Sequence, residues 1–89
     1  MLHINQENYS GFEMTFSNGW KVSVEFGPGT LSDNEHATGY HDSTTAEIRA
    51  WDNTNTPYMF ENTTDGYLGF VPTDKVADFI TYIRNMESI

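Results

Sequence analysis

The stretch Phe12-Glu13-Met14-Thr15-Phe16-Ser17-Asn18-Gly19-Trp20-Lys21-Val22-Ser23-Val24-Glu25-Phe26 decides the fold of this chain. Phe12, Met14 and Phe16 alternate with polar residues before Asn18-Gly19, and Trp20, Val22, Val24 and Phe26 alternate after it. Period-two alternation marks a strand with one buried face. Asn-Gly between two such runs predicts a two-residue type I′ turn, because both central residues of that turn need positive φ. The reading is a β-hairpin with one apolar face. A hairpin alone is marginal in water, so the rest of the chain must cover that face.

The cover lies at the C-terminal end. After Pro72 the period changes: Val76, Phe79, Ile80, Ile83 and Met86 follow helical spacing. Thr73 is the expected N-cap, Asp74 stands in the first turn, and Arg84 stands near the end where a cation suits the dipole. The spacing predicts a helix over about 74–86. Between hairpin and helix, Thr44 to Trp51 alternates with Ala46, Ile48 and Ala50 on the inner side. Pro57 to Glu61 reads as a short strand, Asp65-Gly66 as a turn, and Tyr67 to Val71 as the last strand. Leu2 and Ile4, two apart, allow a short edge strand or a loose arm before the hairpin. The expected fold is a single α+β domain over residues 1–89: an antiparallel sheet of four or five strands with one C-terminal helix on one face.

Composition narrows the function classes. Thirteen acidic residues stand against four basic ones, for a formal net charge of −9. Direct nucleic-acid binding is disfavoured, since its affinity comes mainly from Lys and Arg. A partner with a basic surface is favoured; net charge also keeps a small protein soluble. There is no cysteine. No apolar run approaches a membrane span, and the N-terminal residues lack the pattern of a secretory signal, so the cytoplasm is the expected location.

No catalytic motif stands out. No serine sits in a G-x-S-x-G context, and Gly27-Pro28-Gly29 is followed by no helix that would make it a phosphate loop. His36 and His41 share a loop with Asp33, Glu35 and Asp42, without the helical spacing that makes metal ligands converge. The expectation is a non-enzymatic protein with no metal and no cofactor.

Two features point to binding. The first is the outer face of the sheet, away from the helix. Glu13, Thr15, Lys21, Ser23, Glu25, Glu47, Arg49 and Trp51 fall there by alternation. Trp51 breaks the inside-outside pattern of its strand, and Trp and Arg are enriched at interface hot spots. The structural alternative lays Trp51 flat at the sheet's end under the long loop. The second feature is that loop, from about Gly27 to Ser43, which has no periodicity. Structureless loops of this length are often functional; the alternative is a wandering connection to a non-adjacent strand, with Leu31 and Tyr40 tucked against the core. The expected binding residues are Trp51, Arg49, Lys21, Tyr40, Asp33 and Glu35, with loop and outer face as neighbours.

The run from Phe16 to Gly29, together with Ala46-Glu47-Ile48-Arg49-Ala50-Trp51, resembles a pattern in small bacteriophage proteins: N-G-W-x-V-S-V, a glycine-rich turn, a strand, then a C-terminal helix. That resemblance implies a phage setting, in the host cytoplasm, where small acidic proteins bind and disable host factors. The leading expectation is therefore an inhibitor of a host defence or metabolic protein. One alternative is sequestration of a small nucleotide-like signalling molecule in a homo-oligomer, by aromatic stacking with Lys21 or Arg49 on a phosphate. A second alternative is an acidic mimic of nucleic acid.

Overall fold

A computed structural model of the chain describes residues 1–4, 11–27, 30–33, 42–61, 63 and 65–87. Five strands and a helix follow one another: β1 (Leu2–Ile4), β2 (Gly11–Thr15), β3 (Lys21–Glu25), β4 (Thr45–Trp51), β5 (Leu68–Pro72) and α1 (Thr73–Arg84). Each strand pairs antiparallel with the next, in spatial order β1-β2-β3-β4-β5. The α+β architecture expected from the sequence is the one observed. The long loop after β3 joins neighbouring strands, which corrects the idea of a connection to a distant one.

The hairpin forms, with a different turn. Gly19 has φ 93°, but Asn18 is not in the positive-φ region. The Gly19 amide donates to the Phe16 carbonyl and the Phe16 amide to the Trp20 carbonyl. That is a three-residue loop, a type I turn closed by a left-handed glycine, in place of the predicted type I′ turn. The reason is tertiary. The Asn18 side-chain amide donates to the carbonyls of Ile83 (2.9 Å), Met86 (3.1 Å) and Arg84 (3.3 Å) at the end of α1. Its Oδ1 accepts from the Trp20 amide at 3.0 Å. Ile83 and Arg84 are among the last-turn carbonyls a helix leaves without intrahelical partners, and Met86 follows just after the helix. The hairpin tip therefore caps the helix.

The core lies between the sheet and α1. Val22, Val24, Ala46, Ile48, Ala50, Val71 and Ile83 are buried, and Phe12, Phe16, Trp20, Leu68, Val76, Phe79 and Ile80 pack around them. The helix lies over β3, β4 and β5. Phe26, expected inside, is exposed, because it falls one residue beyond the end of β3. The N-cap of α1 is Pro72, not Thr73, and no side chain caps it. Thr73 is already helical, and its hydroxyl donates to the Thr44 carbonyl instead.

The segment predicted as a strand from Pro57 to Glu61 is a single bridge, Trp51 to Pro57, followed by the Tyr58 amide donating to the Ala50 carbonyl. Its aromatic rings are the reason it is held. Tyr58 meets Phe60, Phe79 and Tyr82 edge-on at 5.2, 5.8 and 6.0 Å between centroids. This second cluster seals the flank of the helix, and such pairs contribute roughly 0.5–1.5 kcal/mol each beyond area burial.

Candidate functional site

The outer face assembles as alternation predicted. Across the strands, Thr15 opposes Lys21 and Lys21 opposes Trp51; Glu13 opposes Ser23 and Ser23 opposes Arg49; Glu25 opposes Glu47. The face is therefore polarised along the strands. Lys21 and Arg49 lie toward the Trp51 end, and the Glu25–Glu47 pair lies toward the other. Burial, then the neighbouring Glu25 carboxylate, raises the Glu47 pKa above its ordinary 4.5; the Leu31 amide and the Arg49 charge only partly oppose this.

Arg49 is the centre of the Trp51 end. Its guanidinium carbon lies 4.7 Å from the Trp51 ring centroid and 5.1 Å from that of Tyr67. One terminal nitrogen donates to the Tyr67 hydroxyl at 3.0 Å, and Nε is buried without a partner. Among the described residues, the ion pair within 4 Å is Lys75 with Asp78, so no carboxylate neutralises Arg49 directly. The cation is held by π-faces, an attraction worth about 0.5–2 kcal/mol per ring depending on desolvation. Beside it opens a cleft of about 460 Å³, lined by Arg49, Ala50, Trp51, Asn55, Pro57, Asp65, Gly66 and Tyr67.

Two turns build the far wall. In the first, Asp52 Oδ1 accepts from the Thr54 hydroxyl (2.6 Å), the Thr54 amide (2.8 Å) and the Thr56 amide (3.1 Å). Those bonds, the Thr54 hydroxyl first, hold the Asp52 pKa below its ordinary value. Asn55 then adopts φ 65°, a left-handed conformation that Asn tolerates. In the second turn, Gly66 at φ 77° is buried against Pro57, and Asp65 Oδ1 accepts from the Tyr67 amide at 3.1 Å.

Of the residues expected to bind, Trp51 and Arg49 meet at this cleft, and Lys21 pairs across from Trp51. Asp33 does not join them. Its amide donates to the Thr45 hydroxyl at 2.9 Å and its carboxylate accepts from the Thr44 hydroxyl, at the opposite end of β4. Trp51 lies six positions along the strand from Thr45, roughly 20 Å at the usual rise. For the described loop residues the expected neighbourhood with Trp51 does not form: they lie where the end of β3 leads to the start of β4, whereas Trp51 ends β4 and faces the start of β3. Whether the loop covers Trp51 turns on residues 34–41, which lie outside the described residues. Tyr40 and Glu35, with His36 and His41, lie outside the described residues.

The described part of the loop is built into the fold. Thr30 and Ser32 are buried; the Thr30 hydroxyl bonds the Gly27 carbonyl (2.8 Å) and Ser32 Oγ (2.7 Å). The Leu31 carbonyl accepts from Phe70 at the irregularity between β4 and β5, and Leu31 lies so close to Gly69 that a Cβ there would meet it at 2.6 Å. Leu31 itself remains exposed.

Tyr67, Asp65, Asn55 and Pro57 are site residues that sequence reasoning missed. The signal for Tyr67 was present: it precedes the inward Leu68, so alternation turns it outward with Arg49. Among the described residues no three His, Asp or Glu side chains group as a metal site, and no helix is long and apolar enough to cross a membrane. Comparison with known proteins returns no matching family model, no matching curated sequence and no matching solved structure.

Proposed function

We propose that this chain is a non-enzymatic binding protein whose cleft beside Arg49, Trp51 and Tyr67 holds a small, flat, anionic ligand of nucleotide type, sequestering it. The observation that carries the reading is Arg49, a cation with no carboxylate in ion-pair contact among the described residues of a chain of net charge −9, held against two aromatic rings at the lip of an open cleft. A half-buried charge normally finds an opposite charge inside the fold. Here the opposite charge is supplied from outside. The cleft's volume falls within the roughly 300–1,000 Å³ common for small-molecule sites. A phage-encoded protein with this property would remove a host signal.

The test is the protein isolated from its expressing cells, denatured, with the released small molecules identified by mass spectrometry. Flat anionic compounds should appear with the wild-type chain and be absent from Trp51→Ala at equal protein load. The melting temperature of Trp51→Ala should fall only modestly, because Trp51 is half-buried and packs on Arg49 rather than in the core. An empty wild-type protein, or a Trp51→Ala chain that no longer folds, would count against the proposal.

A second reading is inhibition of a host protein through the same face. The pairing of Trp51 with Arg49 favours it, since these two residue types lead at interface hot spots. In that case capture of one host protein is lost in Trp51→Ala while no small molecule is released from the wild type.

A further inference from the structure

The lining of the cleft carries opposite charges. One contributor is the Arg49 guanidinium, which lies over the Trp51 and Tyr67 rings and donates through one terminal nitrogen to the Tyr67 hydroxyl. Another is Asp65, exposed, with Oδ1 accepting from the Tyr67 amide and, among the described residues, no hydrogen bond to its other oxygen. Asn55 also lines the cleft, and Pro57 and the rings of Trp51 and Tyr67 supply apolar surface. A complementary ligand is anionic at one end, flat in the middle, and presents N–H donors at the far end. Lys21, opposite Trp51 on the same face but outside the cleft's lining, is a second cation nearby that adds to the attraction for a dianion.

We infer that the cleft accepts a guanine nucleotide monophosphate-like group, with phosphate at the Arg49 edge and the two parallel N–H donors of the guanine ring on Asp65. The inference rests on the proposed small-ligand reading and adds which end of the ligand each residue meets. Guanine is the base that offers a carboxylate two adjacent donors; adenine offers one amino group, and so makes the poorer partner for Asp65. Charge-assisted hydrogen bonds of both kinds are roughly twice as strong as neutral ones, so each end should be separately measurable.

The probes are guanosine 5′-monophosphate, adenosine 5′-monophosphate, guanosine and phenylalanine, titrated calorimetrically into the full chain at low salt. Guanosine monophosphate should bind about tenfold or more tightly than guanosine, the margin expected of one charge-assisted contact. It should also bind more tightly than adenosine monophosphate. Arg49→Met keeps a long apolar stem against the rings and should bring the monophosphate down to the affinity of guanosine. Asp65→Asn should leave the phosphate advantage intact and abolish the preference for guanine over adenine. Equal binding of guanosine and its monophosphate overturns the phosphate assignment, and a guanine preference that survives Asp65→Asn overturns the base assignment. Tighter binding of phenylalanine, or no binding of any nucleotide at millimolar concentration, overturns the inference as a whole. The small-ligand reading survives that result if mass spectrometry still finds a different flat anion released from the wild type, and falls if it finds none.

Discussion

At the scale of single residues, Asn18 does two things that its place in the sequence suggests only in part. It sits in the hairpin turn, and its side chain satisfies carbonyls at the end of a helix 65 residues away. Asn18→Ala should therefore cost about 1–3 kcal/mol in denaturant unfolding, the range for leaving buried groups unpaired. Asn18→Asp should cost more, because a carboxylate would face three carbonyls and the negative end of the helix dipole. An aspartate variant as stable as wild type would remove the cap from the account. Glu47 supplies a pH-dependent test. Its folded pKa is raised, so the folded state binds that proton more tightly than the unfolded chain does. Stability then falls as pH rises from 4.5 through the folded value, and the penalty is fully present above it. Glu47→Gln should raise the melting temperature at neutral pH and make little difference well below pH 4.5. A gain that persists unchanged in acid would assign the effect to something other than this charge.

At the scale of elements, the helix was legible from its stripe, but the weight along the stripe was not. Val76, Phe79, Ile80 and Ile83 share the apolar spacing, yet only Ile83 is fully buried. Ile83→Ala should cost roughly 2–5 kcal/mol, and Ile80→Ala less, since a half-exposed side chain leaves a smaller cavity. Chemical denaturation of the pair decides the order; equal losses would mean that α1 sits deeper than described. The hairpin turn was read correctly at Gly19 and incorrectly at Asn18, because both turn types require the glycine and only the helix end selects between them. A valine at Gly19, where φ is 93°, should destabilise markedly, as β-branched residues avoid that region. The segment after Trp51 misled because Pro57, Tyr58 and Phe60 have strand-like composition. The Tyr58 and Phe60 rings are held by Phe79 of α1 rather than by a strand partner.

At the scale of the whole molecule, a net charge of −9 on 89 residues opposes compaction by self-repulsion. Salt screens that repulsion, with a Debye length near 10 Å at about 0.1 M. Melting temperature should therefore rise as sodium chloride is raised from about 10 mM to several hundred millimolar, while binding of an anionic ligand at Arg49 weakens over the same range. The two trends in opposite directions separate global charge from the local cation. A melting temperature that falls with salt would mean that attractive ion pairs outweigh the repulsion, contrary to the one exposed pair found among the described residues.

Strand and helix content, the inner and outer membership of most strand residues, and the candidacy of Trp51 and Arg49 could all be determined from the sequence. Those properties follow from local periodicity, which a strand repeats every two residues and a helix every 3.6. Three others belonged to the tertiary structure alone. The type of the hairpin turn depended on carbonyls at the far end of the chain. The partnership of Arg49 with Tyr67 depended on how β5 lies along β4, where a register shift between Ala46 and Ile48 interrupts the ladder. The separation of Asp33 from Trp51 depended on β4 running antiparallel to β3, which puts these two residues at opposite ends of one strand. In each case the deciding contact joins residues remote in sequence, and periodicity carries no information about which remote residues meet.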